Sequence, residues 1–221
     1  MPLSGEHCPQ ANLSHRLGSR QFVEPLRAHS CGMPLRLASV LSRSEFAGPE
    51  LGALVLDGEV YRVDDCVAPV DEIAGPTLRA AALATRLPAR LIAEQHSAAW
   101  IWGAQPQPPI RHEVCADITV RARPVLGALL TVREVVLLHE DTAPLAGLLV
   151  TTPMRTAIDL ARFVPEWDDQ EARIVRTLLE LGGCSILDCA RVMNRKRNLP
   201  NKRIALERLA SCADGVCADG V

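Results

Sequence analysis

The chain has 221 residues with 24 Lys and Arg against 26 Asp and Glu, and a formal charge of −2 excludes a protein that coats nucleic acid over its whole surface while leaving room for a local basic patch. Aromatic residues make up only 3% of it, too few to read single strands by stacking bases on exposed rings, so aliphatic side chains must fill the core. Arg outnumbers Lys by 22 to 2, which reads as a coding bias, so Arg content alone says little about phosphate binding.

The first thirty residues carry Glu6, His15, Arg16, Arg20 and Glu24 without an apolar run, so no secretory leader is expected. Residues 1–33 read as a poorly ordered arm, with a short helix around Arg20–His29. Pro34 can open a helix with Leu35, Leu37, Val40 and Leu41 on its apolar side. Ser42 to Ala47 offers a second, since Glu45 stands three residues after Ser42 at capping-box spacing. Gly48 breaks it, Pro49 suits a first helical turn, and Leu51, Leu54 and Val55 mark one face of a third helix that Gly58 ends. Glu59–Val63 then alternates like a strand, Asp64-Asp65 turns the chain, and Cys66–Pro69 returns. Three short helices and a hairpin in this order predict a winged helix-turn-helix over residues 34–70.

Residues 74–103 predict two helices, one through Leu78, Ala81 and Ala82 that ends before Pro88, and one through Gln95–Trp100 after an apolar lead from Leu91. Gln105–Pro109 holds three prolines and reads as a connector and domain boundary. Strands are expected at Glu113–Val120, Leu129–Leu138 and Leu148–Thr152, and helices at Pro153–Phe163, Asp168–Leu181, Ser185–Met193 and Lys202–Ala210. Strands followed by helices predict an α+β domain over 71–210, mixed α/β in its first half with a helical C-terminal end. Residues 211–221 contain CADGV twice in tandem and read as a disordered tail.

Little here suggests bound cofactors or catalysis. The eight cysteines show no CxxC spacing, and no His-x-x-x-His accompanies Cys184/Cys189 or Cys212/Cys217, so they read as free thiols rather than metal ligands. No P-loop or dinucleotide fingerprint occurs. Ser97 lacks the Gly-x-Ser-x-Gly setting of a nucleophile elbow, and His96 on an Ala- and Trp-flanked helix reads as a hydrogen-bonded core or rim residue. No apolar run approaches the ~20 residues of a membrane span, so a cytoplasmic protein is expected.

One stretch carries a specific resemblance. Leu149-Val150-Thr151-Thr152-Pro153-Met154-Arg155-Thr156-Ala157-Ile158-Asp159-Leu160-Ala161-Arg162 resembles the V-T-x-P-x-R-T-x-x-D-L-A-R motif of AbiEi-type antitoxins and regulators of type IV toxin–antitoxin systems. His96-Ser97-Ala98-Ala99-Trp100-Ile101-Trp102-Gly103 resembles a second helix of that family, and Leu56–Val63 its wing. The three occur in the family's order and cover residues ~35–210. The motif positions are His96, Ser97, Trp100, Gly103, Thr152, Arg155, Thr156, Asp159 and Arg162. Physically, Thr152 can cap a helix that Pro153 opens, and Arg155 and Asp159, four apart, can pair. Arg155 and Arg162 could instead touch a partner or a phosphate.

The resemblance implies a non-enzymatic protein whose front module binds double-stranded promoter DNA of its own operon and whose rear module counters a nucleotidyltransferase toxin, where one exists. The chain lacks the Gly-Ser…Asp-x-Asp pattern of such a toxin and the acidic-x-Lys frame of the nuclease modules some relatives carry. The recognition segment Pro49–Asp57 offers Glu50 and Asp57 and no basic residue, so phosphate contacts fall to Arg36, Arg43 and Arg62, with Ser42 at a helix start. A second basic region has Arg195, Lys196, Arg197, Lys202 and Arg203, in a segment (186–210) of net charge +5. The alternatives are a protein-interaction module whose winged helix no longer binds DNA, and a degenerate nuclease-family protein.

Overall fold

The computed structural model of the chain describes residues 39–88, 90–118 and 129–214. The expected arm, with Arg36 and the start of the first helix, lies outside them. In the described part of 34–70 there is one α-helix rather than three. Val40 lies in a bend, and Leu41 forms an antiparallel bridge to Val67 instead of continuing a helix. Ser42 and Glu45 do meet, Ser42 N donating to Glu45 Oε2 at 3.3 Å, but Glu45 N donates to the Ser42 carbonyl rather than to its hydroxyl, and the contact closes a turn. Helix α1 (Gly48–Leu56) starts immediately after it with proline in its first turn, so residues 42–47 have no room to propagate a helix.

The chain reverses at Gly58 (φ 73°) into a hairpin of β1 (Val60–Val63) and β2 (Cys66–Pro69), with Asp64 at φ 55° in its turn. Leu51, Val60, Val67 and Leu41 cluster on one side of the hairpin. Val63, Cys66 and Ala68 belong to a second cluster that includes Leu78, Ala82 and Leu83 of α2 (Pro76–Ala84) and Trp100 and Ile101 of α3 (Gln95–Trp102).

The central sheet has five strands in the order β5-β4-β3-β7-β6. These are β3 (Ile92–Ala93), β4 (His112–Asp117), β5 (Leu130–Val135), β6 (Thr142–Leu145) and β7 (Leu148–Thr151). The apolar lead before α3 is the central strand β3, antiparallel to β4 and parallel to β7. Because β3 and β4 pair across it, Gln105–Pro109 is a connector inside one sheet and not a boundary. The β6–β7 turn uses left-handed Ala146 and Gly147 (φ 46° and 81°).

Four helices follow. α4 (Pro153–Phe163), α5 (Asp169–Leu181) and α6 (Ile186–Arg195) each begin at a side-chain cap, Thr152, Asp168 and Ser185 respectively, accepting from the backbone N–H three residues on. α7 (Lys202–Asp214) runs past Ala210 into the segment expected as tail, because Cys212 is buried and its thiol donates to the Ala172 carbonyl. Leu160, Leu178, Met193 and Leu209, all fully buried, tie these helices into one apolar core. No helix among the described residues is long and apolar enough to cross a membrane.

Candidate functional site

The motif stretch folds into the β7–α4 corner. Thr152 Oγ1 accepts from Arg155 N at 3.4 Å, and Thr156 Oγ1 donates to the Thr152 carbonyl at 2.9 Å and meets Thr151 Oγ1 at 2.7 Å. Arg155, Asp159 and Arg162 recur every three or four residues and share one helix face. That face is buried, so the charges must find partners. Asp159, 1% exposed, accepts from Arg155 Nε at 2.8 Å and Arg162 Nη1 at 2.9 Å. Arg155 Nη1 reaches Asp141 at 2.7 Å. Burial acts to lower the Arg155 pKa, but Asp159 and Asp141 outweigh it and raise it above its ordinary value. Burial lowers that of Arg162, and Asp159 does not fully compensate, because the like charges of Arg155 and Arg133 act with burial.

A second buried pair adjoins this one. Glu94, at the end of β3, is 1% exposed and accepts two parallel bonds from Arg133 of β5, from Nε at 2.7 Å and Nη2 at 2.6 Å. Arg133 Nη2 also lies 3.5 Å from Asp159, joining the two networks. The guanidiniums of Arg133 and Arg162 both sit on the Phe163 ring, 4.2 and 4.4 Å from its centroid. Together with the α6–α7 turn these groups surround a cavity of about 640 Å³ lined by Arg133, Arg155, Arg162, Phe163, Lys196 and Leu199, among others. The turn is pinned there, since Arg162 Nε donates to the Pro200 carbonyl and Asn201 Nδ2 to the Arg162 carbonyl, both at 3.0 Å.

The second motif helix supplies hydrogen bonds rather than a nucleophile. His96 lies between two carboxylates, Nδ1 2.9 Å from Glu113 and Nε2 2.9 Å from Glu171. A carboxylate can only accept, so both ring nitrogens carry protons. Burial pulls the His96 pKa down, but Glu113 and Glu171 push it up to about 10. Ser97 accepts from Glu113 N at 2.9 Å and meets His112 Nδ1 at 3.0 Å, while His112 Nε2 faces Asp64 at 3.2 Å. This serine–histidine–aspartate string links α3, β4 and the hairpin tip. Ser97 is 0% exposed, so no substrate could reach its hydroxyl. Trp100 is core, Trp102 Nε1 donates to the Thr151 carbonyl at 2.8 Å, and Gly103 ends α3 at φ 91°. Asp64 is held further by Arg86 at 3.2 Å, and although burial opposes it, His112 and Arg86 bring its carboxyl below the ordinary range.

The basic residues separate into two groups. Arg208 donates to the carbonyls of Ala161 and Val164 at the end of α4 and is structural. Arg203 stands 3.7 Å from Glu207 in an exposed pair. Arg195 and Arg197 are exposed, Lys196 and Lys202 partly so, and none of these four forms an ion pair among the described residues. At the front, Arg43 and Arg62 are exposed. Ser42 is buried with its hydroxyl engaged by Ser44 and Glu45, which removes it as a phosphate donor. Sequence reasoning missed Glu94, Arg133, Asp141, His112 and Asp64. Their partners lie on other elements, so no local spacing announces them.

Fold and site thus define an α+β domain organised around a buried arginine–carboxylate network, with a basic turn on its surface. Residues 89–209, more than half of the chain, match the model of the AbiEi antitoxin C-terminal domain, and the chain belongs to this family. Among solved structures it is similar to the Rv2827c protein of Mycobacterium tuberculosis, at 18% identity over 80% of this chain and 72% of that one, with a TM-score of 0.42. A comparison with curated proteins returned no match. No group of His, Cys, Asp and Glu suited to holding a metal ion occurs among the described residues.

Proposed function

We propose that the protein is a non-enzymatic, antitoxin-like regulator that binds the DNA upstream of its own gene. Family membership supports the antitoxin role, with a nucleotidyltransferase toxin as its partner where one is encoded beside it. One observation carries the DNA reading: the cations Arg195, Arg197 and Lys202 lie at the surface around one turn with no carboxylate paired to them among the described residues. Unpaired surface cations are what phosphate-backbone binding uses. The α1–hairpin unit, completed by the Leu41–Val67 bridge, is compatible with a winged helix whose wing presents Arg62. Its cytoplasmic location follows from that role.

A specific observation favours a second reading. α1 exposes Glu50 and carries no basic residue, and Leu56 at its end is 88% exposed. Such a helix suits a protein surface better than a major groove. A gel shift with the upstream DNA decides between them. A salt-sensitive shift weakened by Arg43→Ala and Arg62→Ala supports the winged-helix placement, and the absence of any shift at micromolar protein supports the interaction module.

A further inference from the structure

A cavity opens between β5, α4 and the α6–α7 turn. We propose that it binds a small organic molecule through a terminal phosphate, held by Arg133, Arg155, Arg162 and Lys196.

The protein's own acceptors, carboxylates and one backbone carbonyl, engage only part of each guanidinium. Arg133 uses Nε and Nη2 on Glu94, Arg155 uses Nε and Nη1 on Asp159 and Asp141, and Arg162 uses Nε and Nη1 on Pro200 and Asp159. One terminal nitrogen of each remains for the cavity that all three line. Among the described residues the only buried side-chain polar atom without a partner is Glu171 Oε2, so none of these nitrogens is sealed in the core. Three N–H edges and the Lys196 ammonium match the three oxygens and near-double charge of a phosphate monoester better than the two oxygens of a carboxylate. The arginines are also fixed in advance by buried acids and need little ordering on binding.

Size and lining indicate what the phosphate is attached to. About 640 Å³ exceeds what a bare phosphate fills and lies within the ~300–1,000 Å³ range of small-molecule sites. Val136, Leu138 and Leu199 give it an apolar wall. Arg155 and Arg162, more than nine-tenths buried, form a recessed floor that suits a terminal phosphate rather than a diester flanked by sugars on both sides.

Titration calorimetry of the full chain tests this with three probes: inorganic phosphate, phenyl phosphate and benzoate. Saturable binding is expected for both phosphates at millimolar concentrations or below, tighter for phenyl phosphate, with benzoate much weaker. Lys196→Glu, a surface change that disturbs no protein bond, should weaken phenyl phosphate roughly tenfold or more. Arg173→Glu, exposed on α5 and outside the cavity lining, should leave it unchanged. Failure of inorganic phosphate to bind would overturn the proposal. So would benzoate binding as tightly as phenyl phosphate, equal effects of the two substitutions, or displacement of phenyl phosphate by duplex DNA without terminal phosphates.

Discussion

Arg155 Nε donates to Asp159 Oδ2 at 2.8 Å with both side chains buried, and the same carboxylate accepts from Arg162 through its other oxygen. One carboxylate therefore bridges two arginines in the core, of which Arg155 also meets Asp141, with Arg133 at its edge. Removing it leaves the buried Arg162 without a counterion, which costs ~3–5 kcal/mol. Asp159→Ala should therefore lower stability by about that much in urea denaturation. A loss below about 1 kcal/mol would show that the network does not hold the β7–α4 corner.

His96 makes stability depend on pH in the alkaline range. Its folded pKa of about 10 stands above the ordinary 6.5. The unfolded chain releases the proton first, so the stabilisation is full below pH 6.5 and declines as pH rises through about 10. His96→Gln should be destabilising at pH 6, and its deficit against the parent chain should shrink steadily toward pH 10. A deficit that stays constant between pH 6 and 10 would mean the imidazolium is not held by Glu113 and Glu171.

The hairpin is tied to the sheet through Asp64, which meets His112 of β4 and Arg86 beyond α2. Asp64→Ala should raise amide hydrogen exchange in β1 and β2 while leaving α5 to α7 protected as before. Because the Asp64 carboxyl is held below its ordinary pKa of 3.8, its contribution is present above that value and lost as pH falls further. Unchanged exchange in the hairpin would place its anchorage in the Val63, Cys66 and Ala68 packing alone.

Helices α4, α5 and α6 were legible because each opens on a cap residue in the sequence, Thr152, Asp168 or Ser185, and the Arg155–Asp159 spacing announced a pair. β3 and β6 were not. β3 has two residues, too short for any periodicity, and β6 contains Pro144, which argues against a strand unless it lies at an edge, where β6 is found. Ser42–Glu45 misled because a capping contact stabilises a lone turn as well as a helix start. At the site, Arg155, Arg162 and Lys196 were visible in the sequence, but nothing in it brings them together with Arg133. That follows from β5 lying beside α4 and from the Arg162–Pro200 bond that fixes the turn.

The central claim is tested most directly by fluorescence anisotropy of the full chain with DNA from upstream of its own gene, titrated over a range of salt. Affinity should fall steeply with salt, and Arg195→Ala/Arg197→Ala/Lys202→Ala should reduce the slope of log K against log salt by about 2–3, since each phosphate contact contributes ~0.9. Binding with an unaltered slope in the triple variant, or no binding at micromolar protein, would contradict the account.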